Sequence, residues 1–164
     1  MNIFWLDEDP YLAAQYMTDE HVGSKMIIEA AQIIGEALQI RGYNFDFLRS
    51  GYRNHPLTQW AAESTENIGD IIEMAQAMYE EKLYRYGGGH KSFEEGIEPL
   101  IDRRLVMSGE PSEPPKCVGK NEFGDKFIHS DLVTSYRHYY AVTKVDESST
   151  WTDRQRPEWI TEYR

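Results

Sequence analysis

The sequence is poor in cysteine, and its only thiol is Cys117. A single cysteine cannot form an internal disulfide, and it excludes a zinc site made of four thiolates. The five histidines show no spacing typical of metal ligands, so we expect neither a metal ion nor a cofactor. Nothing in the sequence assigns a role to Cys117 itself.

Long hydrophobic runs are also missing. No apolar stretch approaches the roughly 20 residues that a membrane-spanning helix requires. The first residues, MNIFWLDEDP, reach an acidic side chain at Asp7, which is too early for the apolar centre of a signal peptide. We therefore expect a cytoplasmic protein that does not act at a membrane.

Positive charge is scarce. The chain carries 17 Lys and Arg against 28 Asp and Glu, which gives a formal net charge of −11. Proteins that bind duplex DNA usually present a basic face, because phosphate neutralisation supplies most of the non-specific affinity. The charge balance favours a small-molecule or protein partner, or a nucleic-acid contact confined to a small cleft.

Helical periodicity is the main pattern that is present. Apolar residues recur at helical spacing over 18–41 and again over 57–86, where residues 64–67 carry the sequence of a break or a new cap. Prolines and glycines predict a long loop over 109–128, and 150–164 reads as an irregular or briefly helical tail. We expect a mainly α, single compact domain over residues 1–164, with a short extended arm at its N-terminal end.

One of these helices carries ionisable side chains at four-residue spacing. His21, Lys25 and Glu29 form a ladder, and the carboxylate falls inside the apolar arc of the helix. An unpaired charge is costly to bury, so Glu29 must be paired, protonated or functional. Two readings stay open: the ladder faces a functional cleft, or Lys25 and Glu29 form a structural pair.

The segment GYRNHPLTQW, residues 51–60, joins the two long helical patterns. Asn54 is suited to cap the next helix, and Pro56 is suited to its first turn. Arg53 and His55 have no such local role, so we predict that they bind an anionic part of a substrate opposite the ladder. Trp60 is predicted to pack in the core, with a stacking wall for a base as the alternative.

Two further stretches combine aromatic and basic residues: YEEKLYRYGGGH and SYRHYYAVTK. Stacking and charge together are typical of surfaces that bind nucleotides, although packing and solvation account for the same pattern. Four side chains of these stretches are candidates for substrate binding: Arg85, His90, Arg137 and Tyr140.

The blocks MNIFWLDEDPYLAAQY, DEHVGSKMIIEAAQ, NHPLTQW and YEEKLYRYG resemble a family of small phage-encoded proteins. More remotely, the order of an N-terminal arm, a helix with acid and base, GYRNHP and a long helix is similar to the pyrimidine-dimer DNA glycosylases of the endonuclease V type. That resemblance implies a mainly helical fold, an N-terminal amine that forms a Schiff base at the sugar C1′, and an assisting glutamate. It assigns the amine to Met1 and the nearest carboxylate to Glu20, with His21 and Lys25 where the family has arginines. Asn2 follows Met1 and is not a small residue, so we predict that Met1 is retained.

We therefore expect a phage-type enzyme that acts on a nucleotide or a nucleic-acid base, with glycosylase or lyase chemistry as the most concrete form. Glu29 or Glu20 would be the acid or base, and Lys25 an electrophilic or amine group. His21 and His55 would bind the anionic portion of the substrate together with Arg53.

Two alternatives remain open. One is a small-molecule enzyme unrelated to nucleic acid, which the charge balance permits equally well. The other is an acidic phage protein that binds and modulates a host protein. It would do so through acids expected to be exposed, namely Glu80, Glu81, Glu94 and Glu95.

Overall fold

Helices form most of the computed structural model, which describes residues 2–103, 105, 109–119 and 123–164. Over these residues no strand is formed, and the prediction of a mainly α fold is confirmed. The α-helices are α1 (Pro10–Tyr16), α2 (Met26–Ile40), α3 (Pro56–Ala61), α4 (Thr65–Tyr86), α5 (Glu98–Ile101) and α6 (Leu132–Thr143). Wider π-helical turns precede α2 (His21–Lys25) and α5 (Ser92–Ile97), and a 3₁₀ helix (Glu158–Tyr163) lies near the C-terminal end.

An extended arm, residues 2–6, runs through the interior and is buried along its whole length. Its side chains share a hydrophobic core with those of α2, α4 and α6. The Phe4 ring meets the rings of His21 and Tyr140 edge-on, with centroids 5.2 Å and 4.8 Å away. The predicted N-terminal arm is therefore present, and it lies beside the π-helical turn that precedes α2.

The predicted helix over 18–41 differs from a regular α-helix at its start. Residues His21–Lys25 form a π-helical turn, and the α-helix proper begins at Met26. A π-turn hydrogen-bonds from residue i to i+5 and accommodates one residue more than an α-turn. Such turns are frequent at functional sites, and this one carries the two basic members of the ladder.

The long helical pattern over 57–86 is divided into α3 and α4, as residues 64–67 predicted. The Ser64 hydroxyl caps α4 by accepting a hydrogen bond from the backbone N–H of Asn67 at 3.0 Å. The buried Asn67 amide donates to the carbonyl of Trp60 at 2.8 Å and accepts from the N–H of Ser112 at 3.2 Å. One side chain thus joins the end of α3, the start of α4 and the loop that follows α5.

The described part of the predicted 109–128 loop lies over the arm. The Tyr136 hydroxyl of α6 donates to the carbonyl of Pro115 at 3.1 Å, and Asn2 Nδ2 donates to the carbonyl of Cys117 at 2.6 Å. The cap of α6 is Asp131, whose carboxylate accepts from the Thr134 N–H at 2.7 Å. The tail is briefly helical, as expected. No helix within the described residues is long and apolar enough to cross a membrane.

Candidate active site

A cleft of about 670 Å³ opens beside the N-terminal arm. Its walls come from the arm, the π-turn and first turn of α2, the start of α3, residues 115–119 and the end of α6. This volume lies within the range of small-molecule and cofactor sites. Its ionisable side chains are His21, Lys25, Glu29, His55, Lys116, Cys117, Tyr139 and Lys144.

The arm and α2 meet at a carboxylate in this cleft. The backbone N–H of Asn2 donates to Glu29 Oε2 at 2.8 Å, and Glu29 is half-buried. Asn2 is itself held by its side chain, which donates to the Cys117 carbonyl and accepts from the Ile3 N–H at 2.9 Å. The first described residue is therefore fixed against Glu29. Met1, to which the resemblance assigns the nucleophile, lies outside the described residues.

His21 forms a buried part of the cleft wall, with 4% of its surface exposed. Its Nδ1 lies 2.8 Å from Thr18 Oγ1 and 2.7 Å from the Tyr140 hydroxyl. Burial, with smaller contributions from Lys25 and Lys144, lowers the pKa of His21 to about 4. The imidazole is therefore neutral at pH 7, and its orientation is fixed through one ring nitrogen.

Tyr140, predicted as a substrate-binding residue, does not line the cleft. It is fully buried behind His21, where its hydroxyl accepts from the Thr18 N–H at 2.9 Å. Burial raises the pKa of this phenol. Its contacts support His21 rather than a substrate.

Three lysines give the cleft positive charge. Lys25 is exposed, and Lys144 Nζ lies 5.4 Å from the centroid of the Tyr139 ring. Lys116 Nζ donates to the carbonyls of His129 and Ser130, both at 2.8 Å. The described part of the chain contains no group of three or more His, Cys, Asp or Glu side chains placed to hold a metal ion.

Cys117 lines the cleft as a neutral thiol. Burial raises its pKa to about 11, which outweighs a contribution from the Tyr136 hydroxyl in the opposite direction. A thiol with a raised pKa is a poor nucleophile at neutral pH.

The histidine of GYRNHPLTQW caps a helix and also lines the cleft. His55, not Asn54, caps α3, because its Nδ1 accepts from the backbone N–H of Leu57 at 3.2 Å. The inference that local structure does not require His55 was therefore wrong. The same side chain lines the cleft that Glu29 also lines.

The other two candidates of this segment lie elsewhere. Arg53 forms an ion pair with Glu36 at 2.9 Å and is not part of the cleft wall. Trp60 is buried and meets Trp5 edge-on at 6.0 Å, while its Nε1 donates to the Ser112 carbonyl at 3.0 Å. Trp60 is thus a core residue, the first of the two readings from the sequence.

Arg85 is part of a buried ionic network on α4. Its side chain has no exposed surface and pairs with Asp19 at 2.9 Å and with Glu81 at 2.7 Å. Arg154 makes two further bonds to Glu81, both 2.9 Å. Glu81 was expected to be an exposed acid and is buried instead, and Arg85 belongs to this network and does not line the cleft.

The remaining candidates also lie outside the cleft wall. Arg137 pairs with Asp7 at 2.8 Å, and His90 accepts from the Ser92 N–H at 3.2 Å at the start of a π-turn. Glu20 is exposed and borders a neighbouring groove near Thr150, which shares Lys144 with the cleft but does not include Glu29. Of the predicted site residues, the structure brings together four at the cleft: His21, Lys25, Glu29 and His55.

Sequence reasoning missed Asn2, Lys116, Tyr139 and Lys144. Tyr139 and Lys144 belong to the stretch SYRHYYAVTK but were not chosen as candidates, and only the fold brings Lys116 and Lys144 to the cleft with residues 21–29. For Asn2, the sequence did contain an indication of its role. It is the polar residue before the apolar run IFWL, and a buried amide needs partners.

Comparison with known proteins gives the site a context. Residues 1–92 match the family described as pyrimidine dimer DNA glycosylase, which is more than half of the chain. The chain belongs to this family. No curated protein and no solved structure matches the chain. The matched segment of this family member contains the arm, the ladder and His55, whereas Lys116, Tyr139 and Lys144 lie beyond it.

Proposed function

We propose that this family member is a DNA glycosylase or lyase in which the amine at the amino end of the chain is the nucleophile and Glu29 is the acid and base. The observation that carries the proposal is the 2.8 Å hydrogen bond between the Asn2 backbone nitrogen and Glu29 Oε2, inside a cleft. Family membership supports glycosylase-type action on nucleic acid in general. Glu29 is preferred to Glu20 because Glu20 borders a different groove.

The proposed chemistry uses groups of this chain alone. The neutral amine attacks C1′ of the target nucleoside, and the base leaves with the electron pair of the glycosidic bond and takes up a proton. The C1′–O4′ bond then opens: its electron pair goes to O4′, which takes up a proton, and the lone pair of the nitrogen forms the imine with C1′. Glu29 accepts the proton that the attacking nitrogen loses, because its carboxylate lies within hydrogen-bond distance of the first residues.

The neighbouring side chains have matching roles in this proposal. His21 is neutral and held through Nδ1, so it can contact the sugar or base without adding charge. Lys25 and His55 lie on the cleft wall, where they can bind the phosphates that flank the target. Lys25 is also the alternative amine. In its more specific form, the proposal is that this glycosylase or lyase is a phage-type protein that acts in the cytoplasm.

The test compares Glu29→Gln with Glu20→Gln. An oligonucleotide with an abasic site is incubated with each protein, and borohydride traps the imine as a stable adduct. We expect Glu29→Gln to slow trapping by about 100-fold or more, the usual contribution of a general acid or base. Glu20→Gln keeps the wild-type rate, since its side chain is exposed and outside the cleft. Equal rates for Glu29→Gln and the wild type would rule out this role for Glu29.

A host-protein partner has less support. One of the four acids predicted to form its binding surface, Glu81, is buried and paired with two arginines. Membership of the glycosylase family supports a nucleic-acid substrate instead.

A further inference from the structure

A second cavity, of about 340 Å³, shares no lining residue with the cleft. Its walls come from the end of the arm, the start of α1, the first half of α4, residues 113–114 and the start of α6. All the ionisable side chains that line it are acids: Asp7, Glu8, Asp70, Glu73, Glu113 and Asp131. We call it the acidic cavity, and its volume lies within the range of ligand sites.

The chain neutralises only part of this charge. Asp7 pairs with Arg137 at 2.8 Å, and the carboxylate of Asp131 is the cap of α6. The other four acids are exposed and form no ion pair with any described residue: Glu8, Asp70, Glu73 and Glu113. The acidic cavity is therefore open to a positively charged ligand.

Two of these acids repel each other on α4. Asp70 and Glu73 lie about one helical turn apart, so their side chains are neighbours on the helix surface. Partial burial, together with repulsion from Glu73 and Glu66, raises the pKa of Asp70. A bound cation relieves this repulsion. It is not expected to be a metal ion, because no three acids in the described part of the chain are placed to hold one.

An indole donor also lines the acidic cavity. Trp5 is 8% exposed, and its ring is held edge-on to Trp60 at 6.0 Å. Trp60 and Trp151 donate their indole N–H groups to carbonyls, whereas Trp5 Nε1 has no acceptor among the described residues. This nitrogen is not enclosed either, so it is open to the cavity that Trp5 lines. Because buried indoles usually have a hydrogen-bond partner, Trp5 indicates a ligand that carries an acceptor.

The carboxylates and the indole together select the class of ligand. The carboxylates need a cation, and the indole N–H needs an acceptor. A polyamine supplies cations but no acceptor at neutral pH, because its nitrogens are protonated. A peptide that contains arginine supplies both, since its guanidinium pairs with carboxylates and its backbone carbonyls accept hydrogen bonds.

We propose that the acidic cavity binds a basic segment of a partner protein, with an arginine side chain at Asp70 and Glu73 and a backbone carbonyl on Trp5 Nε1. This inference goes beyond the glycosylase function proposed above, and its test contains no DNA. The acids concerned differ from the four that the sequence suggested for a host partner, namely Glu80, Glu81, Glu94 and Glu95.

The first experiment measures binding of a labelled, capped peptide of about six residues in which glycine and arginine alternate. Fluorescence anisotropy is recorded with the full chain at about 50 mM salt, where screening is weak. An exposed ion pair contributes up to about fivefold in affinity. The double variant Asp70→Asn, Glu73→Gln should therefore weaken binding by about five- to twentyfold.

The matched control is the double variant Glu147→Gln, Glu158→Gln. It makes the same change in net charge at two exposed acids outside the acidic cavity. We expect it to change the affinity by less than about twofold. Equal weakening by both double variants would overturn the inference, because the peptide would then respond to overall charge alone. Absence of peptide binding to the wild type would overturn it as well.

The second experiment follows the indole N–H signal of Trp5 by NMR on isotope-labelled protein, with the signal assigned through its bonds to the Trp5 backbone. Saturation with the peptide should shift this signal, because the N–H gains an acceptor. Spermidine, a polyamine, should leave the signal unchanged and bind at least about fivefold more weakly than the peptide. An unchanged Trp5 signal in the peptide complex, or spermidine binding as tight as that of the peptide, would overturn the inference.

Discussion

Replacing Arg85 with methionine is expected to destabilise the protein by about 3 kcal/mol, because it breaks a buried ionic network. The guanidinium is fully buried, and it bonds to Glu81 at 2.7 Å and to Asp19 at 2.9 Å. It also donates to the carbonyls of Met17 at 3.0 Å and Gln15 at 2.9 Å. Methionine fills similar space without satisfying any of these acceptors.

The magnitude follows from what remains after the change. Removing one partner of a buried ion pair costs about 3 to 5 kcal/mol. The lower value applies here because Arg154 still makes two bonds to Glu81. Asp19 also keeps partners: hydrogen bonds from Tyr86, Thr150 and Thr152 outweigh burial and hold its pKa well below its usual range. For a chain of this size, about 3 kcal/mol corresponds to a fall in Tm of roughly 6 to 12 °C.

The assay is urea denaturation and thermal unfolding of Arg85→Met beside Lys91→Met. The control breaks an exposed pair at 3.5 Å, and we expect a loss below about 0.5 kcal/mol for it. A loss below about 1 kcal/mol for Arg85→Met would refute the network argument. If DNA binding then fell as well, Arg85 would have the substrate role that its sequence context suggested.

Further predictions concern pH and packing. The pKa of His21 is about 4 when folded and 6.5 when exposed. Between these two pH values His21 is protonated in the unfolded chain but not in the folded protein. The free energy of unfolding therefore falls by about 3 kcal/mol as the pH drops from 6.5 to 4. Urea unfolding at a series of pH values measures this fall, and His21→Gln should remove the part that is due to His21. Gly35→Ala is expected to cost about 1 to 3 kcal/mol in urea unfolding, since a Cβ would overlap the Arg49 carbonyl oxygen. Gly69→Ala, in α4 with open space around it, should instead stabilise by about 0.5 to 1 kcal/mol; loss of stability there would contradict this packing argument.

Local sequence chemistry was sufficient for much of the fold. Apolar periodicity located α2 and α4, and the Ser64 cap follows from a serine before a helical pattern. The cap of α3 was assigned one residue too early, because Asn54 and His55 both carry a side chain that can accept from the first backbone N–H groups. The π-turn before α2 was missed because periodicity does not distinguish it from an α-turn.

The site was predictable where its residues lie on one helix, and not where tertiary contacts form it. The ladder and His55 lie together at the cleft, but Lys116 and Lys144 reach it from distant parts of the chain. Arg85 was predicted to bind substrate and Glu81 to be an exposed acid, whereas both are buried in a network with Asp19 and Arg154. Sequence spacing alone contains no information about those partners.

In the proposed reaction, an amine at the amino end of the chain, next to Glu29, forms the covalent bond to DNA. It is tested most directly by locating the borohydride-trapped adduct. The trapped protein is digested, and the modified peptide is identified by mass spectrometry. We expect the reduced sugar on the α-amine of the amino-terminal peptide, next to Asn2, whose backbone nitrogen lies 2.8 Å from Glu29 Oε2. An adduct on Lys25, or no adduct at all, would contradict it.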